Sequence, residues 1–246
     1  MKVIITGAGK GSRFRNIGIY KPKYQLTANK KPLFYWSMRS LEVLKDQPHI
    51  FIFNKENFDE KFIKKWLSVL GIKKFKIIII DEFTNGQATT ASLAGKYIKD
   101  KDDVLIFNVD TFIKPKSIKK SFFRDDGSVV CTNALGDHWS FIRKDKNNYA
   151  IQASEKIRIS NEACVGIYYF KKWKDFKALI KNHGDDVIKK YKELYIAPLY
   201  QYMINDGKKI YVPHIDVTNL ICLGTPKEIE SFDKNWLKAN IEKAKI

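Results

Sequence analysis

The chain has 246 residues and 44% hydrophobic content, enough to build a packed core in one domain or a domain with a small appendage. No stretch approaches the roughly 18 consecutive apolar residues of a membrane-spanning helix, and no cleavable signal pattern precedes the first apolar run, so membrane insertion and export are not expected. The formal charge of +18 favours anionic partners, while three cysteines without paired spacing (Cys131, Cys164 and Cys222) and four scattered histidines exclude a disulfide framework or zinc site and fit a reducing, cytoplasmic setting.

Residues 2–6 read as a buried strand. It runs into Gly7, Gly9 and Gly11, then Ser12 and Arg13, with Lys21-Pro22-Lys23 close behind. Glycine lets backbone N–H groups approach a phosphate because no Cβ intervenes. Arginine and lysine supply the charge a triphosphate demands. The segment therefore reads as strand, polyphosphate-binding loop and basic clamp. It is not the dinucleotide fingerprint, since Ser12 stands where the third glycine belongs, and the P-loop pattern is absent. Taken alone, the loop also fits a glycine-rich turn with solvated cations.

Residues 31–45 carry Leu33, Trp36, Leu41 and Leu44 at helical spacing. Residues 50–53 form a second strand. Residues 58–70 form an amphipathic helix with Phe58, Phe62, Trp66 and Leu70 on one face. Residues 75–80 form a third strand, 86–98 a helix after a Gly-Gln turn, and 104–107 a fourth strand ending at Asn108-Val-Asp110. This alternation predicts right-handed βαβ units and a mainly parallel sheet. Beyond Asp110 the pattern is mixed. Short strands at 129–132, 139–143, 150–153 and 165–170, several of them antiparallel, precede helices at 172–181 and 186–205. A strand at 210–213 and a closing helix from Pro226 to Lys245 follow.

Asp110 ends an apolar strand and so projects at the carboxyl edge of the sheet, where open α/β folds bind ligands. A hard carboxylate beside a triphosphate suits Mg²⁺. The alternative is an Asp that caps the next turn. In Thr84-Asn-Gly-Gln-Ala-Thr-Thr-Ala91, Gly86 permits close approach and Gln87 offers a donor and an acceptor for a base edge; an ordinary helix cap accounts for the segment equally well. In Ser154-Glu155-Lys156 the carboxylate can hold a hydroxyl or amine and the ammonium a phosphate.

Together these segments resemble the nucleoside-triphosphate transferase family, comprising sugar-phosphate nucleotidyltransferases and cytidylyltransferases. The resemblance covers most of the chain. It rests on GAGKGSRF (7–14), KPK (21–23), GQATT (86–90), NVD (108–110), EK (155–156), VGIYYF (165–170) and LGTPKEIESF (223–232). KPKYQL, GQATT and ELYIAPLYQYMI (193–204) are most similar to a bacterial subgroup for capsule and surface polysaccharide, which also resembles phosphocholine cytidylyltransferases.

The resemblance implies a Rossmann-like, GT-A-like α/β fold: a mixed, mainly parallel sheet flanked by helices, with a small antiparallel part. It implies one domain over 1–246, with a nucleotide-binding half (1–112) and an acceptor-binding half (113–246). It implies transfer of a nucleotidyl group from an NTP, CTP favoured, to a small phosphorylated acceptor with release of pyrophosphate. Thr6, Gly7, Ala8, Gly9, Lys10, Gly11, Ser12, Arg13, Lys23, Gly86, Gln87, Ala88 and Asn108 would bind the nucleotide. Arg13, Lys23, Asp110 and Lys156 would be catalytic. Glu155, Lys156, Trp139, Gly166 and Tyr168 would bind the acceptor, and Asp110 would hold Mg²⁺.

The chain departs from the family pattern at Cys222, where one subgroup has a second metal carboxylate. Asp216 or Asn219 could substitute, and Asp216 is the expected second ligand. Uridylyl-, thymidylyl- and guanylyltransferases remain alternatives. So does a glycosyltransferase, because Asn108-Val-Asp110 resembles a degenerate Asp-x-Asp. Nucleic acid is not an expected partner, since the cations form no stripe and no recognised module is present. A homodimer is left open.

Overall fold

The computed structural model describes residues 1–241. Its first strand, β1 (Lys2–Thr6), is followed by a short helix α1 (Ser12–Arg15), a small hairpin β2 (Thr27–Ala28) and β3 (Lys31–Pro32), and helix α2 (Leu33–Arg39). Next come β4 (His49–Asn54), α3 (Glu60–Val69), β5 (Phe75–Ile80), α4 (Gln87–Ser92), β6 (Val104–Asn108) and β7 (Thr111–Ile113). The second half holds β8 (Gly127–Asn133), β9 (Ser140–Lys144), β10 (Ala150–Glu155), β11 (Glu162–Phe170), α5 (Trp173–Tyr191), α6 (Leu199–Asn205), β12 (Ile210–Tyr211), β13 (Leu220–Cys222), α7 (Pro226–Phe232) and α8 (Trp236–Ile241).

One mixed sheet runs through both halves in the order β10-β9-β11-β6-β1-β4-β5, with β8 branching off β11 and β12 pairing with β8. β5, β4, β1 and β6 are parallel, as their βαβ patterning demands. β6 then meets β11 antiparallel in a four-rung seam, Phe107 opposite Ile167 through Val104 opposite Phe170. That seam joins the strands of the second half of the chain to those of the first. All six residues of β4 are buried, which explains its near-continuous apolar sequence.

Alternation along the strands divides the core. Ile4, Ile52 and Ile106 pack with Phe170, Phe176 and Tyr200 on one face; Val3, Ile5, Phe51 and Phe107 pack with Phe34, Ile63 and Leu67 on the other. A third cluster joins Phe14, Leu33, Phe112, Leu223, Ile229 and Trp236 beneath the glycine loop. In α3 the deepest residues are Ile63 and Leu67, with Phe62 and Trp66 partly buried beside them.

Two helix expectations change. The helices expected at 172–181 and 186–205 are instead α5, continuous through Asn182–Asp185, then an irregular strap and the short α6. The helix ends because Lys192 turns left-handed at φ 70° and Pro198 begins the next one. The closing helix is broken between α7 and α8, and its final stretch, residues 242–245, lies outside the described residues. Among the described residues no helix is long and apolar enough to cross a membrane.

Candidate active site

The carboxyl ends of β1 and β6 and the entry to α4 meet at one cleft. Each loop glycine has its own reason to be glycine. A Cβ on Gly7 would fall 2.5 Å from the Phe53 ring, so Gly7 serves strand packing. Gly9 has nothing within 4 Å and leaves the cleft open. Gly11 is left-handed, φ 64°, and caps α1. Ala8 is buried beside them, while Ser12 and Arg13 are exposed. Lys10 lies 5.3 Å above the Phe83 ring.

The Lys23 Nζ donates to Asp110 Oδ2 at 3.0 Å. The other Asp110 oxygen, Oδ1, is enclosed without a hydrogen-bond partner. Gly7, Gly9, Lys10, Gly11, Lys23, Asn108 and Asp110 line a small recess. It shares Thr6, Gly9, Lys10, Asn108 and Asp110 with a larger cleft of about 540 Å³, walled by Ala8, Gly86, Gln87 and Glu193.

At the entry to α4, Gln87 Nε2 donates to Thr6 Oγ1 at 3.2 Å, and Thr6 donates to the Phe107 carbonyl. This consumes one amide hydrogen and orients Gln87. Ala88 N–H donates to Leu194 O, and Leu194 N–H to Asn85 O, so the strap after α5 lies directly across this turn. Gly86, at φ 113°, makes the approach feasible: a Cβ there would sit 2.5 Å from Leu194 N.

At the end of β10, Glu155 is 3% exposed and accepts from the Ser140 hydroxyl. Burial pushes its carboxyl up; Ser140 and Lys156 oppose the shift, and the neighbouring Glu193 carboxylate adds to it. Lys156 is exposed, and its backbone donates to Trp139 O at 2.9 Å. Its Nζ donates to the Tyr195 hydroxyl at 2.7 Å and lies over that ring. The Tyr195 bond, with Glu155 and Glu193, raises the Lys156 ammonium.

Trp139 donates from Nε1 to Leu135 O beside this group. Two expected acceptor residues lie deeper. Tyr168 is buried against Tyr200, because its strand position faces the core, and so supports the site from below. Gly166 sits at an irregularity of β11 with φ 83°, and a Cβ there would collide with Asn108 Oδ1 at 2.3 Å. It makes room for Asn108 at the floor of the cleft.

Residues 2–216 match the family model described as nucleotidyl transferase. The chain belongs to the nucleotidyl transferase family. Among curated proteins it is 29% identical over 154 residues to choline-phosphate cytidylyltransferase of Streptococcus pneumoniae (strain ATCC BAA-255 / R6), covering 62% of each chain. The chain thus spans about 62% of the length of that curated relative. Among solved structures it resembles a nucleoside-diphosphate-sugar pyrophosphorylase from Vibrio cholerae RC9, with TM-score 0.86 and 30% identity over 95% of this chain and 100% of that one. The fold is also that of the inositol-1-phosphate CTP transferase from T. maritima, TM-score 0.75 at 16% identity, over 98% and 96% of the two chains.

In this nucleotidyl transferase the expected residues Thr6–Gly11, Lys23, Gly86, Gln87, Asn108 and Asp110 line one joined cleft, Arg13 reaches its rim near Gly224, Ser12 and Ala88 do not line it, and Glu155, Lys156 and Trp139 group beside it. Asp216 does not join them. It is exposed, accepts from the Thr218 N–H and hydroxyl at 2.7 Å, and neighbours His214 and Lys114. Its carboxylate is spent on capping a turn.

Cys222 is nearer, since it pairs with Thr111, and burial together with the Glu228 and Asp110 carboxylates pushes its thiol up to about 12. A protonated thiol is a poor ligand for a hard cation. The enclosed, unpartnered Asp110 Oδ1 does fit one: it is an oxygen ligand lacking a donor. Thr225-Pro-Lys-Glu228 reads as a capping box, and its Thr half forms. A Cβ on Gly224 would stand 3.3 Å from Glu228 Oε2 and 3.6 Å from Asp110 Oδ2, which brings a second carboxylate to the rim.

Glu193 and Tyr195 were not among the expected site residues. Their segment carries a helical apolar pattern that conceals the strap.

Proposed function

We propose that the protein is a Mg²⁺-dependent cytidylyltransferase that joins CMP to a small phosphorylated acceptor and releases pyrophosphate, in bacterial capsule or surface-polysaccharide synthesis. The observation that carries the reading is the Lys23–Asp110 pair set between the glycine loop and Lys156. One lysine, one carboxylate with a free oxygen and a second lysine are the charges an in-line transfer between two phosphates needs. Mg²⁺ held by Asp110 supplies charge neutralisation between nucleotide phosphates.

The chain's own residues do the rest. Backbone N–H groups from Gly9 to Ser12, with Arg13, hold the β- and γ-phosphates. Lys156 presents the acceptor phosphate, one oxygen of which attacks the α-phosphorus. The new P–O bond forms as the bond to the β-phosphate oxygen breaks, and the electron pair leaves with pyrophosphate. Lys23 exchanges Asp110 Oδ2 for an α-phosphate oxygen and meets the charge that builds there.

The tie from Gln87 Nε2 to Thr6 supports CTP. It holds the Gln87 amide in one orientation and leaves Oε1 free to accept from the cytosine 4-amino group. Glu155 and Glu193 support an acceptor with a cationic head. In a chain of net charge +18, two carboxylates around one lysine are a local inversion of sign. The aromatic rings of Tyr195 and Trp139 suit an ammonium.

The test is pyrophosphate release with Mg²⁺, each of four NTPs against choline phosphate, ethanolamine phosphate, glycerol 3-phosphate and hexose 1-phosphates. Turnover with CTP and an amine-bearing acceptor is expected. Turnover with a hexose 1-phosphate alone would replace the acceptor assignment, and no NTP binding at all would overturn the reading.

A further inference from the structure

On the side of α2 away from the cleft, Lys31, Tyr35, Arg39 and Lys45 face the end of α3 across a surface cleft of about 390 Å³. Three cations line it against one carboxylate, Glu42. Lys31 Nζ lies 5.5 Å from both the Tyr35 and Trp66 rings, and no ion pair holds Lys31 or Lys45 among the described residues. The Arg39 guanidinium is under-satisfied. One Nη donates to the Tyr35 hydroxyl at 3.2 Å, the other reaches Glu42 at 3.4 Å, and Nε is enclosed without an acceptor. A half-exposed Arg–Glu pair of that length is weak and yields readily to an oxyanion of higher charge.

The helix that bears Tyr35 and Arg39, with Lys31 just before it and Lys45 after it, also braces the strand end that carries Asp110. Ser37 Oγ donates to the Asn108 carbonyl at 3.3 Å, and Ser40 Oγ to the Thr111 carbonyl at 3.4 Å. The Ile113 N–H donates back to Ser40 Oγ at 2.8 Å. These bonds bracket Asp110 on both sides. A ligand that draws Arg39 away from Glu42 therefore acts on the C-terminal turn of α2, and that turn sets the backbone on which Asp110 sits.

We propose that this cleft is an effector site for a phosphate-bearing small molecule, and that its occupation is felt at Asp110 through Ser37 and Ser40. The cation count, the under-satisfied guanidinium and the two serine braces are independent observations that converge on α2.

Inorganic pyrophosphate is the probe, titrated calorimetrically into the full chain. Arg13→Ala, Lys23→Ala and Lys156→Ala are combined to silence the catalytic cleft. Salt is held at about 0.15 M, where surface charges more than ~8 Å apart are screened. Binding is expected to persist in that background and to fall at least about tenfold when Lys31→Gln and Lys45→Gln are added. Lys174→Gln with Lys181→Gln, on α5 across the sheet, removes the same charge elsewhere and is expected to change it less than about twofold. Hydrogen exchange at the Ile113 amide, which reads the Ser40 brace, is expected to slow on binding.

Absence of binding in the silenced background overturns the proposal. So does equal weakening by the two lysine pairs, which would assign the effect to net charge, and so does unchanged exchange at Ile113. None of these readings depends on turnover, so they stand apart from the outcome of the substrate panel.

Discussion

The Lys23–Asp110 pair sets the first expectation at the level of single residues. If Lys23 meets charge that builds only in the transition state, Lys23→Ala lowers kcat more than it raises the KM for nucleotide. Steady-state kinetics check this, and the reverse pattern would make Lys23 a ground-state binding residue. Thr6→Val removes the acceptor for Gln87 Nε2 and frees the amide to turn. The ratio of UTP to CTP use, as kcat/KM, is then expected to rise by about tenfold, the worth of one good hydrogen bond; an unchanged ratio would remove Gln87 from base selection. The glycine loop and Asp110 were legible because each follows a strand end that periodicity locates, whereas the roles of Lys23 and Gln87 rested on the family resemblance. Why each glycine is there was not legible. The Phe53 ring against Gly7 and the Asn108 side chain against Gly166 come from distant strands, and only packing reveals them.

The strap from Lys192 to Pro198 is the element the sequence disguises. Its apolar residues keep a helical rhythm, yet Leu194, Ile196 and Ala197 are buried by an irregular segment whose backbone pairs with Asn85 and Ala88. Tertiary hydrogen bonds here outweigh local propensity. By contrast β1, β4 and β6 were placed almost to the residue, since a buried parallel strand is an unbroken apolar run, and the edge strand β5 was found by its Phe-Lys-Ile-Ile-Ile-Ile run. Gly86→Ala tests the strap. The new Cβ would lie 2.5 Å from Leu194 N, at a φ of 113° that L residues avoid. A loss of about 2–4 kcal/mol in unfolding free energy is expected, with the KM for both nucleotide and acceptor raised. Denaturant unfolding and two-substrate kinetics read these separately, and a rise in only one KM would show that the strap serves one subsite.

Across the whole molecule, acid stability turns on a buried group far from the cleft. His49 is 1% exposed; its Nδ1 hydrogen bonds to the Gln47 carbonyl at 2.8 Å and its Nε2 has no partner. That fixes the neutral ring with the hydrogen on Nδ1. Burial lowers its pKa to about 4, from 6.5 for a free histidine. Between those values the unfolded chain binds the proton and the folded chain does not, so stability falls as pH drops from about 6.5 to about 4. The full loss is on the order of 3 kcal/mol. His49→Gln is expected to flatten the unfolding midpoint over that window, and an unaltered slope would place the acid sensitivity elsewhere.

The β6–β11 seam joins the two halves of the sheet, and the strap bonds both to the turn at Asn85–Ala88, proposed to face the base, and to Lys156, proposed to face the acceptor phosphate. Glu193 and Tyr195 cannot be exchanged for a new acceptor head without displacing Leu194 between them, and Leu194 is bonded to the base turn. Under the proposed assignment, choice of nucleotide and choice of acceptor are therefore inherited together. A lineage of this protein that adopts a new acceptor meets selection at the base turn as well, and its two specificities drift as a pair.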